Sequence, residues 1–170
     1  MQFSKNGIDF MVEVAEGREY SEYPDTAGNP TIGIGHKLTV VELGTGSIII
    51  QGSPVEYKNG LTHSQVDDLF LQDMYPVEKA INELVKVPLT QNQFDALCSL
   101  CFNIGIPRFT KSTLLRLLNT GNYVSVPEQM RRWNKETIKG VLTVSKGLTN
   151  RREFDISLWT GIWRSKKTFR

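Results

Sequence analysis

Cysteine and histidine are scarce in this chain, and the shortage of each removes a class of protein. Two cysteines, Cys98 and Cys101, are too few for a disulfide framework. Their CxxC spacing raises redox chemistry or half a zinc site. Thr90 followed by Gln93 is a capping-box signature, however, which starts a helix near residue 90 and puts both thiols well inside it, away from the dipole end that activates a thiolate. A zinc site would need two more ligands, and His36 and His63, the only histidines, lie in separate segments without the usual spacing. Both cysteines are read as small buried apolar residues of a reduced protein, and no metal or other cofactor is expected. No apolar run approaches the roughly 18 residues of a membrane span. The first thirty positions carry Asp9, Glu13, Glu16, Arg18, Glu19 and Glu22, so no secretory h-region is present there, and residence in a cytosol is expected.

What is present is an uneven charge. The formal net charge of +2 divides into 12 acids against 5 bases over residues 1–80 and 6 acids against 15 bases over residues 81–170. The second half is therefore the half that would meet a polyanion. For scattered charges such as Arg116, Arg131 and Lys139 a solvated helix face is the better reading. The tail Arg164, Lys166, Lys167 and Arg170 is the better candidate for contact with anionic polymers, and it lacks a nucleic-acid motif.

At 170 residues the chain has room for one domain of one or two small lobes. Ile8, Met11, Val12 and Ala15 recur at helical spacing and Gly17 is a stop, which predicts a short amphipathic helix over 4–16. Residues 23–37 pass from turn chemistry into β alternation, a hairpin turning around Ala27, Gly28 and Asn29. Residues 41–57 predict a further strand or excursion of this small sheet, without a functional reading. Thr62 and Gln65 form a second capping box. One helical phase then runs through Val66, Leu69, Val77 and Leu84, so a single long helix, bent or briefly broken at Pro76, is predicted. Three further helices follow at about 90–104, 111–119 and 124–134, and a last one spans Leu148 to Trp159.

The densest chemistry lies in EGREYSEYPDTAGNPTIGIGH, where Glu16, Asp25 and Thr31 stand in one short ladder closing on His36. Two carboxylates and a hydroxyl are the minimum equipment for cutting a glycosidic bond, since one carboxyl must donate a proton and another must handle water. Glu16 ends its helix beside the Val12 and Ile8 row, where desolvation and the negative end of the macrodipole both disfavour ionisation, as a proton donor requires. The alternative is a solvent-exposed Glu at a frayed end. Asp25 is expected on the first hairpin strand, facing Thr31 on the second; its competing role is Asx-type capping of the turn. Thr31, Gly33 and Gly35 are expected to share one face, with the glycines leaving room for a bulky ligand.

EG followed by YPDTAGNPTIGIGH resembles the active-site segment of the phage-type lysozymes, the endolysin family of glycoside hydrolases and tailed-phage muramidases. LTHSQVDDLFLQD, VPLTQNQFDALCSLCFNIGIPRFTKSTLLRLLN, RRWNK, GLTNRR and WTGIW are similar to later landmarks of that family, so the resemblance runs from about residue 4 to residue 163. It implies an α+β, lysozyme-like fold: a single domain with a small β-containing lobe over about 14–60, helical segments over 1–13 and 75–170, a connecting helix over 61–85, and an active-site cleft between the lobes. It implies Glu16 as the proton donor, Asp25 and Thr31 as the residues holding the hydrolytic water, and His36 as a structural partner of Asp73. Phe102 in FNIG and Ser112 in FTKS would border the substrate groove, though Phe102 serves equally as core. The implied substrate is bacterial peptidoglycan, cut between N-acetylmuramic acid and N-acetylglucosamine; with Glu16 at a helix end, Asp25 on a strand and a water to fit between Asp25 and the sugar, inversion is expected. The implied setting is the host bacterial cytoplasm before release to the wall, with anionic envelope polymers as further partners of the basic half, no nucleic acid, and a monomeric state.

Two rivals remain open at this level. A lytic transglycosylase cleaves the same bond with one acid and no water, and the presence of both Asp25 and Thr31 counts against it. A non-catalytic wall-binding module would keep the groove without the chemistry, and an intact Glu16 counts against that.

Overall fold

The computed structural model describes residues 1–163. The fold is α+β, and the chain divides into two compact units: Met11–Pro76, and Met1–Phe10 together with the chain from Val77 onward.

The chain opens with an unusual winding. Helix α1 spans Lys5–Phe10, as the apolar spacing predicts, but Met11–Ala15 continue it as a π-helix. The Glu16 N–H donates to the Met11 carbonyl at 2.8 Å, a reach of five residues, and Gly17 stops the element at a φ of 76°. The wider turn changes the angular step per residue, so the helical phase that set Glu16 beside the Val12 and Ile8 row no longer applies at the end of the segment. Strands β1 (Glu19–Pro24), β2 (Pro30–Gly33) and β3 (His36–Lys37) form an antiparallel sheet in the order β1-β2-β3. Tyr23 pairs with Thr31 and Pro24 with Pro30. Residues 41–57 do not extend this sheet: they form α2 (Val40–Thr45), capped by a Thr39–Glu42 capping box, and a separate hairpin of β4 (Ser47–Ile50) and β5 (Ser53–Glu56). Ile32, Ile34, Ile48, Tyr57 and Leu69 are among the buried side chains of this unit.

Helix α3 spans His63–Leu84 and runs unbroken through Pro76, so the missing N–H removes one ladder bond without ending the helix. Its start is the expected capping box, with Thr62 N–H donating to Gln65 Oε1 at 2.8 Å and Gln65 N–H to Thr62 Oγ1 at 3.2 Å.

The second unit contains α4 (Gln91–Ile104), α5 (Ile106–Thr110), α6 (Thr113–Leu118), α7 (Val126–Arg131) and α8 (Lys146–Trp159). The Thr90–Gln93 box caps α4 as predicted. Two features were not anticipated: the short α5, and an exposed hairpin of β6 (Lys135–Ile138) and β7 (Val141–Val144). The GLTNRR segment opens α8 and sends its charges inward. Arg152 and Asp155 are fully buried with Nε and Oδ2 3.0 Å apart, Ser99 of α4 donates to Asp155 at 2.6 Å, and Arg152 donates to Asn103 at 2.8 Å. Removing one partner from a buried pair strands the other charge at a cost of roughly 3–5 kcal/mol, so this network pins α8 to α4 as one register.

Candidate active site

Glu16 leaves the π-wound segment half-buried and lies directly against Gly35, in the turn between β2 and β3. A Cβ placed on Gly35 would stand 2.8 Å from Glu16 Oε2 and 3.0 Å from its Cδ, and Gly35 has a φ of +75°. Only glycine meets both demands. The space at Gly35 is thus taken by the Glu16 carboxyl and not by the ligand the sequence pattern suggests, while a Cβ on Gly33 would meet Leu69 and Val66 of α3 only at ordinary contact distances of 3.7 and 3.8 Å.

Asp25 departs from its expected place. It lies one residue beyond β1, inside the turn, and Thr31 faces Tyr23 across the ladder instead. The Asx capping posed as its competing role is present: Asp25 Oδ1 accepts from Ala27 N–H at 2.9 Å and Asn29 N–H at 2.8 Å. Asn29 Nδ2 donates to both carboxylate oxygens, and Lys37 Nζ stands 3.2 Å from Oδ2. Burial pushes the Asp25 carboxyl up, but the bonds from Asn29, Lys37 and Ala27 together outweigh it and bring the pKa down to about 2. Capping and charge retention are here the same set of bonds.

Thr31 is 2 % exposed, and its hydroxyl donates to the Asn29 carbonyl at 2.9 Å. With the proton committed there, the oxygen lone pairs are left to accept. Tyr23 links the set electrostatically. Its phenol is raised above its ordinary value by burial first, then by the charges of Glu16, Glu19 and Asp25. Both carboxyls thus act on the residue that pairs with Thr31, all within the Met11–Pro76 unit. Asn29, Tyr23 and the cramped role of Gly35 escaped the sequence reading. An Asp followed four residues later by Asn across a Gly is the signal that could have found Asn29.

His36 stands between two carboxylates. Its Nδ1 lies 2.7 Å from Asp73 of α3 and its Nε2 3.3 Å from Glu42 of α2. Burial pushes the imidazole down, but the hydrogen bond and charge of Asp73, then Glu42, raise it above 6.5. Glu42, absent from the sequence reading, also accepts from Thr39 N–H at 2.8 Å, so His36 joins the sheet, the long helix and the 41–57 excursion. A group whose folded pKa is raised stabilises fully below its unfolded value and loses that contribution as pH rises through the folded one. Asp73→Asn is therefore expected to lower Tm more at pH 5.5 than at pH 9, and a double-mutant cycle with His36→Asn to show stronger coupling at the lower pH. Equal losses at both pH values would contradict the pairing.

Phe102 is a half-buried residue of α4, and Ser112 is a buried N-cap of α6 accepting from Leu115 N–H at 3.1 Å. Cys98 and Cys101 are buried in α4, and burial pushes the Cys101 thiol up to about 12. Neither is poised as a nucleophile. The tail residues Arg164, Lys166, Lys167 and Arg170 lie outside the described residues. Among the described residues no helix is long and apolar enough to cross a membrane.

The arrangement can do acid and water chemistry on one substrate: a carboxyl held against a backbone turn, a second held ionised, and a buried hydroxyl with free lone pairs. Over 135 residues the chain is 42% identical to the endolysin of Salmonella phage P22, covering 79% of this chain and 85% of that protein. It is 35% identical over 159 residues to the endolysin of Acyrthosiphon pisum secondary endosymbiont phage 1, covering 94% and 98%. Among solved structures, the endolysin from Escherichia coli O157:H7 phage FAHEc1 superposes with a TM-score of 0.81 at 38% identity over 98% of both chains. The family pattern described as phage lysozyme matches residues 13–155. The chain belongs to the phage lysozyme family of glycoside hydrolases.

Proposed function

We propose that this protein is an endolysin-type muramidase that hydrolyses the β-1,4 bond between N-acetylmuramic acid and N-acetylglucosamine in bacterial peptidoglycan, with inversion at the anomeric carbon. The observation that carries the reading is that Asn29 bonds both an ionised Asp25 and a Thr31 hydroxyl, whose proton is thereby committed. Glu16 donates its proton to the glycosidic oxygen as the C1–O bond breaks. Water, donating to Thr31 Oγ1 and Asp25, attacks C1 from the opposite face and passes its proton to Asp25. A carboxylate with so low a pKa is a weak base, so its main work is to stabilise the oxocarbenium charge and orient the water, accepting the proton late. Asp25 then releases its proton to solvent and Glu16 regains one, which resets both groups.

Phe102 and Ser112 are assigned to substrate contact by the family resemblance alone. The setting is the host bacterium, from whose cytoplasm a monomeric enzyme reaches the wall in lysis, or whose wall it penetrates at infection. The basic second half faces anionic envelope polymers. Room for a water between Asp25 and the sugar calls for a carboxyl separation in the inverting range of roughly 6.5–9.5 Å. The first-formed product is thus expected to be the α-anomer, read by NMR before mutarotation. A first-formed β-anomer, or a trapped glycosyl adduct on Asp25, would make Asp25 a nucleophile instead.

A further inference from the structure

Asn29 bonds to both members of the water-handling pair. Its Nδ2 stands 3.2 Å and 3.0 Å from the two Asp25 oxygens, and its backbone N–H donates to Oδ1 at 2.8 Å. Its carbonyl accepts from the Asp25 N–H at 2.9 Å and from Thr31 Oγ1 at 2.9 Å. Pro30 follows, which restricts the backbone of Asn29 to extended conformations and so fixes the direction of its carbonyl. Lys37, the charged donor to the same carboxylate, is 66 % exposed at its side chain and screened by solvent. The Asn29 carboxamide is neutral and short, and its Nδ2 reaches both carboxylate oxygens while its backbone holds Oδ1 and the Thr31 hydroxyl.

We propose that Asn29 is a positioning residue of the hydrolytic step: it sets the plane of the Asp25 carboxylate through its side chain and the rotor of the Thr31 hydroxyl through its carbonyl. The proposal rests on the reading of Asp25 and Thr31 as the water-holding pair. A carboxamide suits the task because it donates to a carboxylate without changing charge with pH. An aspartate there would repel Asp25, and an alanine would leave only the backbone bonds.

The test combines two readouts on wild type, Asn29→Ala and Asn29→Asp. Carbon-detected NMR titration of the Asp25 carboxyl reports the positioning without any need for turnover. Steady-state digestion of purified peptidoglycan across pH reports its consequence. Asn29→Ala is expected to move the Asp25 titration up by about one pH unit, and the near-isosteric Asn29→Asp to move it further, because a like charge disfavours ionisation. In Asn29→Ala, kcat is expected to fall roughly tenfold with KM little changed, since a misplaced water costs the transition state and not substrate binding. The acid limb of kcat should follow the NMR titration in both variants. An Asp25 titration that stays in place in both variants, with only Tm lowered, would make Asn29 structural and overturn the proposal. The muramidase reading fails differently, on wild type that releases no sugar ends, and the titration still decides the role of Asn29.

Discussion

Glu16→Gln is expected to abolish most turnover while leaving the fold intact. The amide keeps the shape and the hydrogen bonding of the carboxyl but carries no proton acidic enough to give to the leaving oxygen. General acid catalysis of this kind is worth about 10²- to 10⁴-fold, and the loss should fall on kcat, because the contact matters only as the bond breaks. Circular dichroism and a thermal melt would show an unchanged fold with Tm at or above wild type, since functional sites are frequently strained. Wall clearing by Glu16→Gln at the wild-type rate would remove Glu16 from the mechanism.

Gly35→Ala is expected to be nearly as damaging, although Gly35 has no functional group. The added Cβ would stand 2.8 Å from Glu16 Oε2, closer than real carbon contacts come, and the φ of +75° would strain any L side chain. The carboxyl is the freer of the two groups and should give way. A displacement of about 1 Å from a productive geometry can cost on the order of a hundredfold. Stability should fall by only about 1 kcal/mol, the usual cost of forcing alanine into a glycine conformation. Purified peptidoglycan digestion alongside a urea melt separates the two effects. Full activity in Gly35→Ala would mean that the position of Glu16 against the turn has no part in catalysis.

The sequence carried the fold wherever local chemistry and packing agree. Thr62 with Gln65 and Thr90 with Gln93 are reciprocal caps written in residue types, and α3 and α4 begin where those pairs say. The same signature at Thr39 and Glu42 was equally visible, yet the neighbouring SIII run drew the segment toward a strand reading. Two hairpins lacked the usual Asn-Gly or Asp-Gly mark. Their turns use Gln51-Gly52 and Lys139-Gly140, with Gln51 and Lys139 held at φ of 51° and 49°, a conformation such side chains seldom adopt. The π winding of Met11–Ala15 follows from no local propensity, because an α period and a π period share the same apolar residues over so short a span.

The candidate site was legible as residue types and spacing, and less so as geometry. Glu16, Asp25 and Thr31 are close in sequence, and all three sit in one compact unit. The strand position expected for Asp25 failed because its side chain binds its own turn more strongly than the ladder could hold its backbone, through Ala27 and Asn29. A residue that acts only through others, as Asn29 does, leaves little mark on a pattern of acids and hydroxyls.

The central claim is that water, directed by Asp25 and Thr31, opens a muramic bond protonated by Glu16. The most direct test is to digest purified peptidoglycan with the wild-type protein and identify the new sugar ends by mass spectrometry. Reducing N-acetylmuramic acid ends, absent from a parallel Glu16→Gln digest, are the predicted result. Ends closed as 1,6-anhydro-N-acetylmuramic acid would mean that no water enters, and the roles given to Asp25 and Thr31 would be wrong.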